Sequence, residues 1–170
     1  MPFKNNRQMY IYRAVLTVIV AAVSIFHTTP GFSSLFISSA FTFIPLIVCL
    51  GLFERELPGA LFGALAGVIY DISSPLPDGF NAIFLTIMGF ICGLLVHYVL
   101  RNNLISALLL CLFFTLLYSL SRYLLLKGSH DGALEILKPF LITMLVLPVY
   151  YLLIRYISKQ FKTSDDLDKI

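Results

Sequence analysis

Charge is what this sequence has least of. Asp, Glu, Lys and Arg make up 12% of its 170 residues, against 59% hydrophobic, whereas a soluble domain carries about a quarter charged residues. So few polar groups cannot coat a water-soluble globule of this size, and the large apolar exterior left over would aggregate. Lipid as the solvent removes the conflict. Tryptophan is absent, so aromatic anchoring at a membrane surface falls to tyrosine. The three cysteines, Cys49, Cys92 and Cys111, each sit inside an apolar run without metal-ligand spacing, and read as small apolar packing residues. HExxH, P-loop and Ser–His–Asp or Cys–His patterns are missing, as are paired carboxylates within the apolar runs. Hydrolysis, metal and nucleotide chemistry therefore have no visible apparatus, and a pump or channel would ordinarily carry ionisable groups in mid-span. The reading is of a protein that is not an enzyme, with no catalytic residue, metal or cofactor. A net charge of +3 is too small to suggest nucleic acid as a partner.

What is present is a succession of apolar runs, each near the roughly 17–25 residues that a membrane-crossing helix needs. Six are expected: Tyr10 to His27, Leu35 to Phe53, Leu57 to Ile72, Phe80 to Leu100, Leu104 to Leu126 and Leu134 to Ile157. The first follows a basic segment and superficially resembles a signal peptide. It lacks a convincing small-x-small cleavage site and reads as a retained span. The links are short: Thr28 to Gly31, Glu54-Arg55-Glu56, Ser73 to Gly79, Arg101 to Asn103 and Lys127 to Gly132. Short links force neighbours in sequence to lie side by side and antiparallel. The expectation is an all-α integral-membrane bundle, one domain over 1–160, with 161–170 as a polar tail. Placing the N-terminus inside puts Lys4, Arg7, Arg13, Arg55, Arg101, Arg155, Lys159, Lys162 and Lys169 on the inner side and only Arg122, Lys127 and Lys138 outside. By the positive-inside rule, both termini are then cytoplasmic. Tyr10, Tyr12, Tyr70, Tyr98, Tyr123, Tyr150, Tyr151 and Tyr156 lie near span ends and are expected as interfacial anchors. Glu54 and Glu56, flanking Arg55, read as a charge cluster at the inner surface.

The third run holds the most specific pattern. Gly59, Gly63 and Gly67 recur every four residues, and Asp71 follows at the same interval. Steps of four drift by only about 40° on a helix, so the residues form one slowly turning stripe. A glycine stripe lets a second backbone approach closely, which drives helix association where lipid gives no hydrophobic gain. The contact is either internal or with another protein. Gly89 and Gly93, then His97, repeat the spacing in the fourth run, so these two stripes are expected to pack on each other. His97 reads as an interfacial polar residue. Asp71 ends its run near hydrocarbon and needs a partner; Ser73, Ser74 and the loop's N–H groups are the expected donors, in an Asx-type turn. Asp78 and Gly79 complete this polar turn, and a binding role for Asp71 stands second to the structural one.

The run Gly59-Ala-Leu-Phe-Gly63-Ala-Leu-Ala-Gly67-Val-Ile-Tyr-Asp71-Ile-Ser-Ser, a Pro/Gly loop with Gly79, and an apolar run with Gly89 and Gly93 resemble the rod-shape-determining protein MreD family. The motif spans Gly59 to Gly93; the six runs and the basic N-terminal segment extend the likeness as a hydropathy pattern. The resemblance implies a fold similar to the six-helix substrate-binding subunits of energy-coupling-factor vitamin transporters, in the bacterial cytoplasmic membrane. It also implies a scaffold that binds the bitopic protein MreC beside the actin-like MreB, a RodA-type glycosyltransferase and a class B penicillin-binding transpeptidase. The family offers no catalytic residues to carry over. The alternative is a vitamin-binding transporter subunit, which would need a polar, aromatic-lined pocket near the outer surface; Asp71, Asp78, Asn81 and Tyr118 are its candidates.

Overall fold

The computed structural model describes residues 6–28, 40–54, 56–72, 74, 76–98, 103–125 and 133–161. These form six α-helices, α1 (Asn6–Thr28), α2 (Ala40–Phe53), α3 (Glu56–Asp71), α4 (Phe80–Tyr98), α5 (Leu104–Leu125) and α6 (Ala133–Phe161), with no strand among the described residues. The helices coincide with the six apolar runs, because long stretches rich in Leu, Ala, Ile and Phe favour the helix and satisfy their backbone groups internally; Pro45 and Pro148 lie within α2 and α6 without ending them. The main differences are at the two ends: α1 begins at Asn6 rather than Tyr10, and α6 continues past Ile157 to Phe161. The segments 29–39, 99–102, 126–132 and 162–170, with most of the expected links and the polar tail, lie outside the described residues, as does the side chain of His97.

The second helix is the axis. Every described side chain from Thr42 to Glu54 is buried, as expected of a helix that is apolar all round. Helices α3, α4, α5 and α6 pack on it, while α1 lies on α3 and reaches α6. The peripheral helices divide their faces. In α1 the buried positions are Tyr12, Leu16, Val20 and Ser24, at steps of four, with Ile11, Val18 and Ile25 exposed opposite. In α5 Ala107, Leu110, Cys111, Phe114 and Tyr118 point inward and Leu109, Phe113, Leu116 and Leu120 outward. The outward faces of α4 (Ile83, Ile87, Phe90, Leu94) and α6 (Leu141, Leu145, Val149, Leu152) are equally apolar. Helical segments Leu104–Leu125 and Phe140–Phe161 are long and apolar enough to cross a membrane; Met9–Ile25, Thr42–Phe53 and Phe80–Val96 are shorter apolar helices.

Two buried hydroxyls are satisfied locally. Ser24 donates to the Val20 carbonyl at 2.7 Å and Thr115 to that of Cys111 at 2.7 Å, the i−4 back-bonding open to Ser and Thr in helices. Cys49, Cys92 and Cys111 are free thiols, all buried. The tyrosines divide. Tyr10, Tyr98, Tyr123 and Tyr156 are exposed, but Tyr12, Tyr70 and Tyr151 are buried, so the expectation of a purely interfacial set is corrected. Position near a helix end does not fix which face a ring occupies: Tyr70 packs on Phe43 and Tyr151 on Phe53 of α2, and Tyr12 on Phe161 of α6. Glu54 is likewise buried rather than solvated, because it continues α2 by one residue, with its N–H bonded to the Leu50 carbonyl at 2.8 Å.

Candidate functional site

The loop between α3 and α4 is built by turn chemistry. Phe80 N–H bonds to the Pro77 carbonyl at 3.1 Å, closing a turn whose third residue, Gly79, has φ +82°. Residues with a Cβ rarely take that conformation, so glycine is the natural occupant. Its carbonyl then accepts from Ile83 N–H at 3.0 Å, the first bond of α4. The two amides between these, those of Asn81 and Ala82, have no partner within the helix. Asp71 supplies it from the end of α3: Oδ1 accepts from Asn81 N–H at 3.0 Å and Oδ2 from Ala82 N–H at 3.0 Å. An anion at a helix N-terminus also gains from the helix dipole. Asn81, wholly buried, donates its Nδ2 to Asp71 Oδ1 at 2.8 Å and accepts at Oδ1 from the Tyr118 hydroxyl of α5, also at 2.8 Å. Phe80 and Phe84 pack on the Tyr118 ring, with centroids 6.2 and 5.2 Å away.

Asp71 thus has partners, and among the described residues they differ from those expected. The donors are the first turn of the next helix and the Asn81 amide; Ser74 bonds instead to Leu76 N–H at 3.2 Å, and Ser73 lies outside the described residues. An Asx-type turn would keep the carboxylate on its own loop, but the α3–α4 hairpin closes so tightly that the unpaired amides of α4 lie nearer. Asp78 is exposed in the turn.

That closeness comes from the glycines. A Cβ on Gly59 would stand 2.7 Å from the Gly89 carbonyl oxygen; on Gly63 it would collide with the Leu85 carbonyl, on Gly67 with the Ala82 backbone, and on Gly89 with the Gly59 carbonyl. Residue numbers fall along α4 as they rise along α3, so the helices are antiparallel with backbone against backbone. Gly51 of α2 joins them: its Cβ would lie 2.7 Å from Cys92 Cβ and 3.3 Å from the nitrogen of buried Gly93. The stripe Gly59, Gly63 and Gly67 therefore faces α4. Gly51 escaped sequence reasoning because it stands alone in its run, without a second glycine at helical spacing. Asn81 carried a weak signal, an amide one residue inside an apolar helix.

A second polar group lies at the opposite end. The Tyr12 and Ser158 hydroxyls are 2.8 Å apart, bridging α1 and α6, and the Glu54 carboxylate is within electrostatic reach of Tyr12. Phe161 packs on Tyr12 with ring centroids 5.7 Å apart. Among the described residues, no three His, Cys, Asp or Glu side chains come together as a metal-ligand set. In chemical terms both groups are hydrogen-bonded ties between helices. No family model, curated protein or solved structure matches the chain.

Proposed function

We propose that the chain is a polytopic membrane protein that works as a non-enzymatic scaffold of the MreD type, holding an MreC-like bitopic partner within a cell-elongation complex. The observation that carries the membrane part is the distribution of exposed side chains. Exposed charges among the described residues lie at helix ends or in the turn, at Arg7, Arg155, Lys159 and Asp78. Between them the outward positions of α1, α4, α5 and α6 are Leu, Ile, Val, Phe, Met and Ala, with Tyr10, Tyr98 and Tyr123 near the helix ends. Such a band suits hydrocarbon and is unsustainable in water. Arg7, Arg155 and Lys159 belong to the Tyr12–Ser158 end, and Asp78 to the other, which supports a cytoplasmic position for both termini.

The scaffold part is supported by how the polar residues are used. Of the four candidates for a small-molecule site, Asp78 is exposed in the turn, and Asp71, Asn81 and Tyr118 are engaged in holding three helices together. A vitamin-binding subunit would have to release them. The glycine stripe faces α4, so a bitopic partner would meet the outer apolar faces. The test is purification from native membranes with identification of what accompanies the protein. Co-recovery of an MreC-like protein is the expected result. A stoichiometric small molecule in its place would establish the transporter reading, and recovery of the chain from an aqueous extract without detergent would end both. A reporter fused after Ile170 should read as cytoplasmic.

A further inference from the structure

The helices are unequally coupled. Among the described residues α3 and α4 are in intimate backbone contact and α1 lies along α3; α5 and α6 form a second pair. All but α1 rest substantially on α2. Between the two groups backbone contact is sparse: α1 barely approaches α6, and α4 and α5, although consecutive, do not pack backbone to backbone. Side chains fill these two seams. The α4–α5 seam is spanned by Phe80, Phe84 and Tyr118, with the Tyr118 hydroxyl on Asn81. The α1–α6 seam is spanned by Tyr12, Ser158 and Phe161. The ties lie at opposite ends of the bundle.

We infer that the bundle is two half-bundles, α1–α3–α4 and α5–α6, seated on α2 as a common axis and latched to each other at opposite ends by Tyr118–Asn81 and Tyr12–Ser158. The contacts within the first half and those between the halves differ in stiffness for a physical reason. Backbone-to-backbone glycine contacts in the first leave no side chain free to change rotamer, whereas an aromatic seam can reorganise by rotamer changes. Loss of the Tyr118 latch therefore lets α5–α6 move away from α4 at the Asp71 end, opening the bundle laterally while each half stays intact. Asp71 acts indirectly, by fixing the Asn81 amide so that its oxygen faces Tyr118. The inference does not depend on the scaffold reading.

Dipolar EPR distances test it. In full-length protein with Cys49, Cys92 and Cys111 replaced by alanine, nitroxides are placed in pairs at exposed positions: Val68 with Leu120 across the latch, Val68 with Ile25 within the first half, and Leu120 with Leu141 within the second. Tyr118→Phe should lengthen and broaden the Val68–Leu120 distribution and leave the other two as in the parent. Tyr12→Phe, at the far end, should enhance the change when combined with it. An unaltered Val68–Leu120 distribution in the double variant overturns the inference. Equal broadening of all three pairs also overturns it, because the bundle then loosens as one body.

Discussion

At one end of the bundle a carboxylate, an amide and a phenol only 10 and 37 positions apart tie α3, α4 and α5; at the other, two hydroxyls 146 positions apart tie α1 to α6. The first tie is founded on backbone. Asp71 completes hydrogen bonding that α4 must find somewhere, and the glycine seam beneath it fixes where its oxygens go. The second depends on side chains alone, and neither hydroxyl has to be there for a helix to begin or end. The first end should therefore be sensitive to backbone-level change and costly to disturb. The second should tolerate loss of the Ser158 hydroxyl with a modest penalty, whereas the Tyr12 hydroxyl also serves the buried Glu54 carboxylate.

Substitutions can break or sharpen this contrast. The largest effect is expected at the seam: Gly63→Leu places a side chain against the Leu85 carbonyl, where no rotamer can relieve the clash. Overpacking costs about 1–3 kcal/mol and occasionally more, and with backbone on both sides the upper end or beyond applies. Thermal unfolding in detergent should show failure to accumulate as a folded species; wild-type stability would mean the seam is looser than described. Asp71→Ala comes next, since two amides and the Asn81 side chain lose their acceptor. About 2–3 kcal/mol is expected from hydrogen bonds to a charged group, with Asp71→Asn recovering part through its remaining oxygen. Tyr118→Phe removes the neutral hydrogen bond to Asn81, about 1 kcal/mol, together with the hydroxyl's interaction with Tyr70. A double-mutant cycle of Tyr12→Phe with Ser158→Ala should give a coupling no larger than about 1 kcal/mol; a coupling above that of Asp71 with Asn81 would invert the comparison. Asp78→Ala, in the exposed turn, should stay within about 0.5 kcal/mol of wild type.

The contrast also marks where sequence reasoning reaches. The α3–α4 pairing was legible because glycines at steps of four occur in two runs joined by a short loop, and both spacing and connection are local. That Asp71 needs a partner was legible from the cost of a carboxylate near hydrocarbon. Which donor it takes was not, because the choice between its own loop and the next helix depends on how closely the hairpin shuts. Burial of Glu54, Tyr12 and Tyr151 was hidden for a related reason: position near a helix end says nothing about rotation around the axis. The Tyr12–Ser158 tie needed both the extension of α6 past Ile157 and the placement of the first helix beside the last.

The sequence by itself determined that the chain is helical, where its helices run, that one pair meets through glycine, and that charge is confined to the ends. These follow from local backbone preferences and from the solvent each side chain tolerates, properties a residue carries with it. Only the tertiary structure decided that α2 is the axis, that Gly51 joins the glycine seam, that Asn81 links Asp71 to Tyr118, and that the bundle divides into two halves. Those outcomes depend on which faces meet, and packing of all six helices at once settles that.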